Sequence, residues 1–246
     1  MLNLILMILL NFVVGGCIGL TGIAGFLLPM FYAGFLDMPS YASLALSFAA
    51  FLISGILGSV NYYKSGNLDL KTAGVLSAGS FVGALAGVKI NLPADTMKII
   101  LYLVVLLSGI SILLRKDKPG NTEKKAVQSV PFFLVLGAVT GAVCAASGAG
   151  GPVLVMPILT LLGIPAHTAV GISLFDSIFI AVPSAAGYLI AAAGNKEVFL
   201  LLPVLLVAHG IGVFAGSKNA TKINQTLLKR IVAVASIAIA CIKLFL

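Results

Sequence analysis

The sequence predicts an all-α, polytopic membrane protein, and its composition and hydropathy support that fold class. Hydrophobic residues make up 60% of the 246 residues, charged residues only 9%, and the mean hydropathy is +1.17. Soluble domains are about 45–50% apolar and about 25% charged. The apolar stretches run continuously for the ~20 residues that a helix needs to span a bilayer, whereas a barrel requires alternation. About eight hydrophobic segments leave no room for a water-soluble domain.

Six apolar stretches have the length of one transmembrane helix. They cover residues 41–63, 72–90, 97–114, 168–193, 198–217 and 228–246. Two further apolar regions, 2–36 and 130–164, are longer and contain glycine clusters. As a single helix, the second of these regions would extend to ~50 Å at ~1.5 Å per residue, well beyond the bilayer core. We therefore expect each region to form a broken or re-entrant pair of helices.

The chain contains an internal repeat. The segment PSYASLALS (39–47) matches PAHTAVGIS (165–173), and GALAGVK (83–89) matches GVFAGSK (212–218). Glycine-broken stretches, GLTGIAGFLLP and CAASGAGGPVLVMP, occupy the same place in the two halves, each ahead of a proline. The predicted units are a first transmembrane repeat at 1–114, a cytoplasmic linker at 115–129 and a second transmembrane repeat at 130–246.

The relative orientation of the two halves follows from Lys and Arg, which accumulate on the cytoplasmic side of membrane proteins. If each glycine-broken region crosses the membrane once, the repeats are parallel, with nine basic residues inside and six outside. If each region enters and returns on one side, every repeat has an odd number of crossings and the halves are inverted. The count is then eleven inside and four outside. This distribution favours inverted repeats, which are common in secondary transporters.

The net charge of +8 does not indicate nucleic-acid binding. The basic residues are concentrated in short loops between apolar segments, where the positive-inside rule explains them. We expect the lipid bilayer, and no nucleic acid, as a partner. The sequence has no metal-ligand spacing, nucleotide-binding loop or catalytic triad, so it predicts no metal, no cofactor and no enzymatic activity. The cysteines, Cys17, Cys144 and Cys241, lie in apolar segments and are interpreted as packing residues without disulfides.

The second glycine cluster is the leading candidate for a substrate site. A non-helical turn within a bilayer is tolerated only where it is buried in protein or lines a polar cavity. Glycine also lets an anion approach the backbone N–H groups at the start of a helix. The alternative is that these glycines only allow close helix packing. The candidate residues are Ser147, Gly148, Gly150 and Gly151, with Gly22 and Gly25 in the first half.

Four polar side chains inside apolar segments complete the candidate site. Ser47 and Ser173 occupy the same repeat position, and each either donates to an oxyanion or bonds a carbonyl of its own helix. Asp176 follows Ser173 on the same helix face. A carboxylate inside a bilayer is energetically expensive, so we expect a functional role there: proton coupling, cation coupling or holding a group of the binding site. His209 is either the partner of Asp176, a second titrating group or a packing residue.

Two matched pairs of residues flank the breaks. Tyr62 and its repeat equivalent Tyr188 lie near predicted span ends, where tyrosines usually belong to the interfacial belt. Cys17 and Cys144 each precede a glycine break. A thiol role with a sulfur-containing substrate therefore stays open for them beside packing.

These motifs resemble the TauE/SafE family of sulfite exporter-like membrane proteins. The resemblance rests on GAGGPVLVMP, GIPAHTAVGIS, NYYKSGNLDL and GSFVGALAGVK, and it covers nearly the whole chain. It implies a secondary carrier in the cytoplasmic membrane of a prokaryote that moves a small anion, such as sulfite or an organosulfonate. The alternatives are an anion channel and a carrier for a non-sulfur carboxylate, and a homo-oligomer is compatible with each. Because the first half reads GIAGFLLP and has fewer glycines, we expect the substrate closer to the second break.

Overall fold

The computed structural model describes residues 2–22, 24–90 and 129–220, and single positions between 96 and 113 and between 222 and 241. The described residues form α-helices and a 3-10 turn joined by short connections. The first half comprises α1 (Leu2–Thr21), the 3-10 turn (Ala24–Phe26), α2 (Leu27–Gly34), α3 (Ser40–Lys64) and α4 (Leu70–Val88). The second half comprises α5 (Val130–Ser147), α6 (Gly151–Leu161), α7 (Ala166–Ala191) and α8 (Lys196–Lys218).

Among the described residues, six helices are long and apolar enough to span a membrane: α1, α3, α4, α5, α7 and α8. The predicted all-α fold of a multi-pass membrane protein is therefore confirmed. Residues 2–36 and 130–164 each form a long helix, a break and a short helix, as expected. The predicted spans at 97–114 and 228–246 and nearly all of the linker lie outside the continuously described ranges. The boundaries of the repeats stay predictions.

Matching local signals begin the corresponding helices of the two halves. Pro39 and Pro165 precede α3 and α7 with φ of −53° in both cases and ψ of 139° and 142°. The proline ring fixes this φ, and the extended ψ separates each helix from the turn before it. Asp69 and Asn195 cap α4 and α8 by accepting hydrogen bonds from backbone N–H groups of the first turn. The repeat therefore specifies the same helix starts twice.

Small residues bring α4 against α5, and α1 against α8, in two close pairs. A Cβ added at these glycines would overlap a main-chain oxygen of the neighbouring helix, so close packing explains them. Residue numbers rise together along both contacts, and the helices of each pair are therefore parallel. The contacts are Gly79 with Leu134 and Gly83 with Ala138 for the first pair, and Gly15 with His209 and Gly19 with Val213 for the second.

The repeat equivalents α3 and α7 pack against each other in opposite directions. Gly55 of α3 lies against Leu174 and Ile178 of α7, whereas Gly171 of α7 lies against Tyr62 of α3. Residue numbers therefore fall along one helix as they rise along the other. Antiparallel packing of equivalent helices is what an inverted repeat requires. It agrees with the orientation predicted from the basic residues.

Both glycine-broken regions return to the face of the bundle from which they enter. Contacts of α8 with α1 and with α3 show that these three helices run in the same direction. Since α1 and α3 are parallel, the chain between them must travel back, and α2 makes that return. In the second half α5 and α7 are both parallel to α4, so α6 does the same. The two hairpins open toward opposite faces of the bundle because α3 and α7 are antiparallel.

Candidate functional site

The two breaks lie on glycines with left-handed backbone angles. Gly22 follows α1 with φ of +74°, and its repeat equivalent Gly148 follows α5 with φ of +78°. Gly150 has φ of +73° and immediately precedes Gly151, the first residue of α6. Left-handed geometry costs residues with a Cβ roughly 1–2 kcal/mol. The glycine cluster singled out from the sequence is therefore the point at which the chain reverses.

The two breaks meet between α3 and α7. The space that a Cβ of Gly22 would fill lies 3.5 Å from Pro152 and 3.7 Å from the Ser173 hydroxyl. The corresponding space at Gly148 lies 3.6 Å from Pro29. Each break therefore lies against the short helix of the other half, and glycines from both halves contribute to one junction.

One repeat position distinguishes the two sides of this junction. The Phe51 ring of α3 lies 3.1 Å from the point that a Cβ on Gly25 would occupy and 3.2 Å from the corresponding point on Gly150. Its repeat equivalent on α7 is Ser177, whose Cβ lies 3.2 Å from the corresponding space at Gly151. The first half therefore places an aromatic ring at the junction where the second half places a small polar residue.

Hydrogen bonds from its own residues hold the second break. The Gly148 N–H donates to the Cys144 carbonyl at 2.8 Å and ends α5. The Ser147 hydroxyl donates to the carbonyl four residues earlier at 2.7 Å and accepts from the N–H two residues later at 3.3 Å. The Cys144 thiol donates to the Gly150 carbonyl at 3.4 Å. Because α6 begins at Gly151, the positive end of its dipole points into the junction.

Ser47 and Ser173 are buried, and both bond to their own helices. The Ser47 hydroxyl donates to the Ser43 carbonyl at 2.7 Å, and the Ser173 hydroxyl donates to the Val170 carbonyl at 3.0 Å. The self-bonding alternative therefore describes both hydroxyl protons in this conformation. A role as oxyanion donors requires an exchange of partners and stays a prediction.

Asp176 lies on α7, where it is fully buried at 0% exposure and faces α4 and α5. The hydroxyls of Ser77 and Ser80 of α4 lie within hydrogen-bonding reach of its carboxylate, and Cys144 of α5 is close enough to interact with it electrostatically. Among the described residues, neither carboxylate oxygen has a partner with hydrogen-bond geometry, and the hydroxyls of Ser77 and Ser80 have none either. The next residue of α7 packs on the start of α6, so this polar cluster adjoins the second break.

His209 belongs to a different buried cluster, formed by α1, α3 and α8. Its Nε2 lies 2.6 Å from the Ser54 hydroxyl, and its Nδ1 lies 3.1 Å from the Asn11 carbonyl. Both ring nitrogens are therefore engaged away from Asp176, and the suggested pairing of these two residues is wrong. His209 is the repeat equivalent of Ser80, so the two clusters occupy matching places in the two halves.

Comparison with known proteins identifies the family of this chain. The family profile described as "Sulfite exporter TauE/SafE" matches residues 4–242. The chain belongs to the TauE/SafE family. It is accordingly a multi-pass membrane transporter, and no solved structure matches it.

Two relatives of this TauE/SafE transporter are similar over almost their whole length. "Probable membrane transporter protein YdhB" of Bacillus subtilis (strain 168) is 26% identical over 233 residues, which cover 91% of this chain and 93% of the relative. A "Probable membrane transporter protein" of Haemophilus influenzae (strain ATCC 51907 / DSM 11121 / KW20 / Rd) is 26% identical over 275 residues, with 99% and 98% covered. Both names describe transport rather than catalysis.

Tyr62 and Tyr188 of this transporter bond to the ends of the broken helices. The Tyr62 hydroxyl donates to the Leu20 carbonyl at 3.2 Å, and the Tyr188 hydroxyl donates to the Ala145 carbonyl at 2.9 Å. The last carbonyls of a helix need donors when the helix stops inside a protein. Tyr62 is only 2% exposed, so its assignment to the interfacial belt is wrong.

Cys17, Cys144 and Cys241 carry free thiols. Cys144 is buried and bonds the Gly150 carbonyl, whereas Cys17 is partly buried. A thiol role toward a sulfur-containing substrate stays open for both. Within the described part of the chain, no group of three or more His, Cys, Asp or Glu side chains is placed to hold a metal ion.

Several residues of the junction and its flanking clusters were missed by the sequence reasoning. They are Phe51, Ser54, Ser77 and Ser177. Ser77 carried a usable signal, because it lies three residues before Ser80 in an apolar helix and therefore shares one face with it. The mismatch between Phe51 and Ser177 at one repeat position was a further signal of asymmetry at the junction.

Proposed function

We propose that this TauE/SafE transporter is a secondary carrier that moves a small anion across the cytoplasmic membrane of a prokaryote. The proposed substrate is a sulfur-containing anion such as sulfite or an organosulfonate. The observation that carries the proposal is the junction itself, where two glycine breaks from opposite faces of the bundle meet between antiparallel α3 and α7. The family description, which names a sulfite exporter, supports the sulfur-containing class.

The start of α6 supports an anion rather than a cation as the substrate. A helix N-terminus presents free N–H donors and about half a positive charge, and oxyanions bind readily to both. Ser147, Gly148, Gly150 and Gly151 would cradle the anion, because glycine leaves the backbone accessible. Gly22 and Gly25 would complete the cradle from the first half. The richer glycine content of the second break favours a position closer to α6.

The arrangement of the hairpins supports alternating access. In transporters with inverted repeats, the substrate lies near the membrane midplane where broken helices meet, and one repeat rocks against the other. Here each hairpin is packed on the short helix of the opposite half, so a movement of one half changes which face of the junction is open. The chain contains no nucleotide-binding loop, and an ion gradient or the substrate gradient would supply the energy.

The test is uptake of radiolabelled sulfite by proteoliposomes that contain the purified full-length protein. We expect saturable uptake, stimulation by unlabelled sulfite or sulfoacetate inside the vesicles, and competition by either anion outside. Gly148→Ala should lower this uptake strongly. Gly66→Ala is its matched control, because Gly66 is exposed and nothing lies within 4 Å of an added Cβ.

Three results would contradict the proposal in different ways. Absence of flux for sulfite, sulfoacetate and a carboxylate of similar size would remove the anion carrier. Flux of the carboxylate alone would replace the sulfur-containing class by a carboxylate carrier. Unitary currents without counterflow stimulation would indicate an anion channel.

A further inference from the structure

Ser77 and Ser80 differ from most other buried serines of this bundle. In the described part of the chain, the buried serine hydroxyls of α3, α5 and α8 donate to carbonyl oxygens, as Ser47 and Ser147 do, or bond the His209 ring, as Ser54 does. Such self-bonding is the usual way for a serine in a membrane helix to satisfy its hydroxyl. Ser77 and Ser80 do not use it, although both are at most 1% exposed.

The carboxylate of Asp176 also lacks a partner with hydrogen-bond geometry within the described ranges, and it lies beside these two hydroxyls. Both of its oxygens are buried, and neither has a partner with hydrogen-bond geometry among the described residues. A buried charge without a partner is costly, and buried polar groups in native proteins are otherwise nearly always satisfied. Ser77 and Ser80 lie within hydrogen-bonding reach of the carboxylate, so two carboxylate and two hydroxyl oxygens share one buried site between α4 and α7.

We propose that Asp176, Ser77 and Ser80 form a binding site for a sodium ion. Hard cations are bound by oxygen ligands, and oxygens are the ligands that these three side chains provide. A proton would neutralise the carboxylate but would use only one of its oxygens, whereas a cation would also use the oxygens of Ser77 and Ser80, which do not bond a backbone carbonyl of the described residues. A sodium ion would be bound by the two carboxylate oxygens and by both hydroxyl oxygens. Sodium sites in other secondary transporters likewise lie beside broken helices.

The position of the site links the cation to the proposed anion, and this step rests on the proposed function. Cys144 lies within electrostatic range of Asp176 and donates its thiol to the Gly150 carbonyl, so it connects the cluster to the second break. An unneutralised carboxylate there repels an anion at the start of α6, whereas bound sodium removes the repulsion. By linkage, sodium raises the affinity for the anion, and the anion raises the affinity for sodium by the same factor.

The test measures binding of radiolabelled sodium to the purified full-length protein without any anion substrate, in choline-balanced buffer. We expect saturable binding to the wild type and its loss in Asp176→Asn. Ser77→Ala and Ser80→Ala, which keep the carboxylate, should each weaken sodium binding about tenfold. These two variants keep the proposal testable if Asp176→Asn does not fold.

Ser184→Ala is the matched control. Ser184 is buried on the same helix and its hydroxyl also lacks a partner among the described residues, but it lies ~12 Å further along the helix axis. Sodium binding should be unchanged in this variant. Absence of sodium binding in the wild type, or equal loss in Ser184→Ala and Ser77→Ala, would overturn the site. Anion flux that follows a proton gradient and ignores sodium would overturn the identity of the ion.

The sodium site and the proposed function fail separately in these measurements. Sodium binding is measured without an anion, so its loss leaves the anion carrier untouched. Conversely, saturable sodium binding without sulfite flux would remove the proposed substrate and leave the cation site in place.

Discussion

Gly148→Ala tests the account of the second break most sharply. The residue has φ of +78°, and a Cβ there would overlap the Leu44 side chain of α3, with Pro29 also close at 3.6 Å. The left-handed angle alone costs about 1–2 kcal/mol for alanine. Overpacking of a filled site adds about 1–3 kcal/mol. The expected loss in free energy of unfolding is therefore about 2–5 kcal/mol.

Gly66→Ala separates the two contributions. Gly66 has φ of +72°, close to that of Gly148, but nothing lies within 4 Å of an added Cβ. This variant should lose only the backbone contribution of about 1–2 kcal/mol. Equilibrium unfolding of both variants in mixed detergent micelles gives the comparison, and sulfite uptake should fall strongly only in Gly148→Ala. Equal destabilisation of the two variants would refute the claim that the second break is packed against α3.

Three further substitutions, the first with a paired control, test contacts between helices of the bundle. Gly83→Ala should be strongly destabilising, because its Cβ would overlap the α5 backbone. Its control, Gly74→Ala on the same helix, meets open space and should stabilise α4 by about 1 kcal/mol. Thermal unfolding that ranks the two variants the other way would contradict the packing of α4 on α5. Ser54→Ala removes the partner of His209 Nε2 and should lower the free energy of unfolding by about 1–3 kcal/mol. An unchanged midpoint of thermal unfolding would show that this hydrogen bond does not stabilise the protein. Tyr188→Phe removes the bond to the end of α5 and should cost about 1 kcal/mol while raising hydrogen exchange in the last turn of α5; unchanged exchange would contradict that role.

The sequence was sufficient for the features that depend on local geometry. The prolines before α3 and α7 fix the same backbone angles wherever they occur, and the glycines at the breaks are the residues that tolerate left-handed φ. Both can be recognised without knowing the neighbours. The distribution of basic residues indicated inversion because it depends only on which loops share a face of the membrane.

The clusters around Asp176 and His209 required the tertiary structure. Helix α4 of the first half packs on α5 and α7 of the second, so Ser77 and Ser80 meet a carboxylate about 100 residues away in the chain. His209 is likewise drawn to Ser54 of α3 because α8 packs parallel to it. The error on Tyr62 has the same origin, because a tyrosine near a span end faces lipid or protein according to its neighbours.

The central claim is that the two breaks enter from opposite faces of the membrane, and cysteine accessibility tests it directly. Asp37 follows the first hairpin and Gly163 follows the second at the equivalent repeat position, and both residues are exposed. Asp37→Cys and Gly163→Cys are introduced separately into a variant whose native cysteines are replaced by alanine, and a membrane-impermeant thiol reagent is added to oriented vesicles. The account predicts that one position is labelled from outside and the other only after the vesicles are opened. Labelling of both positions from the same side would contradict it.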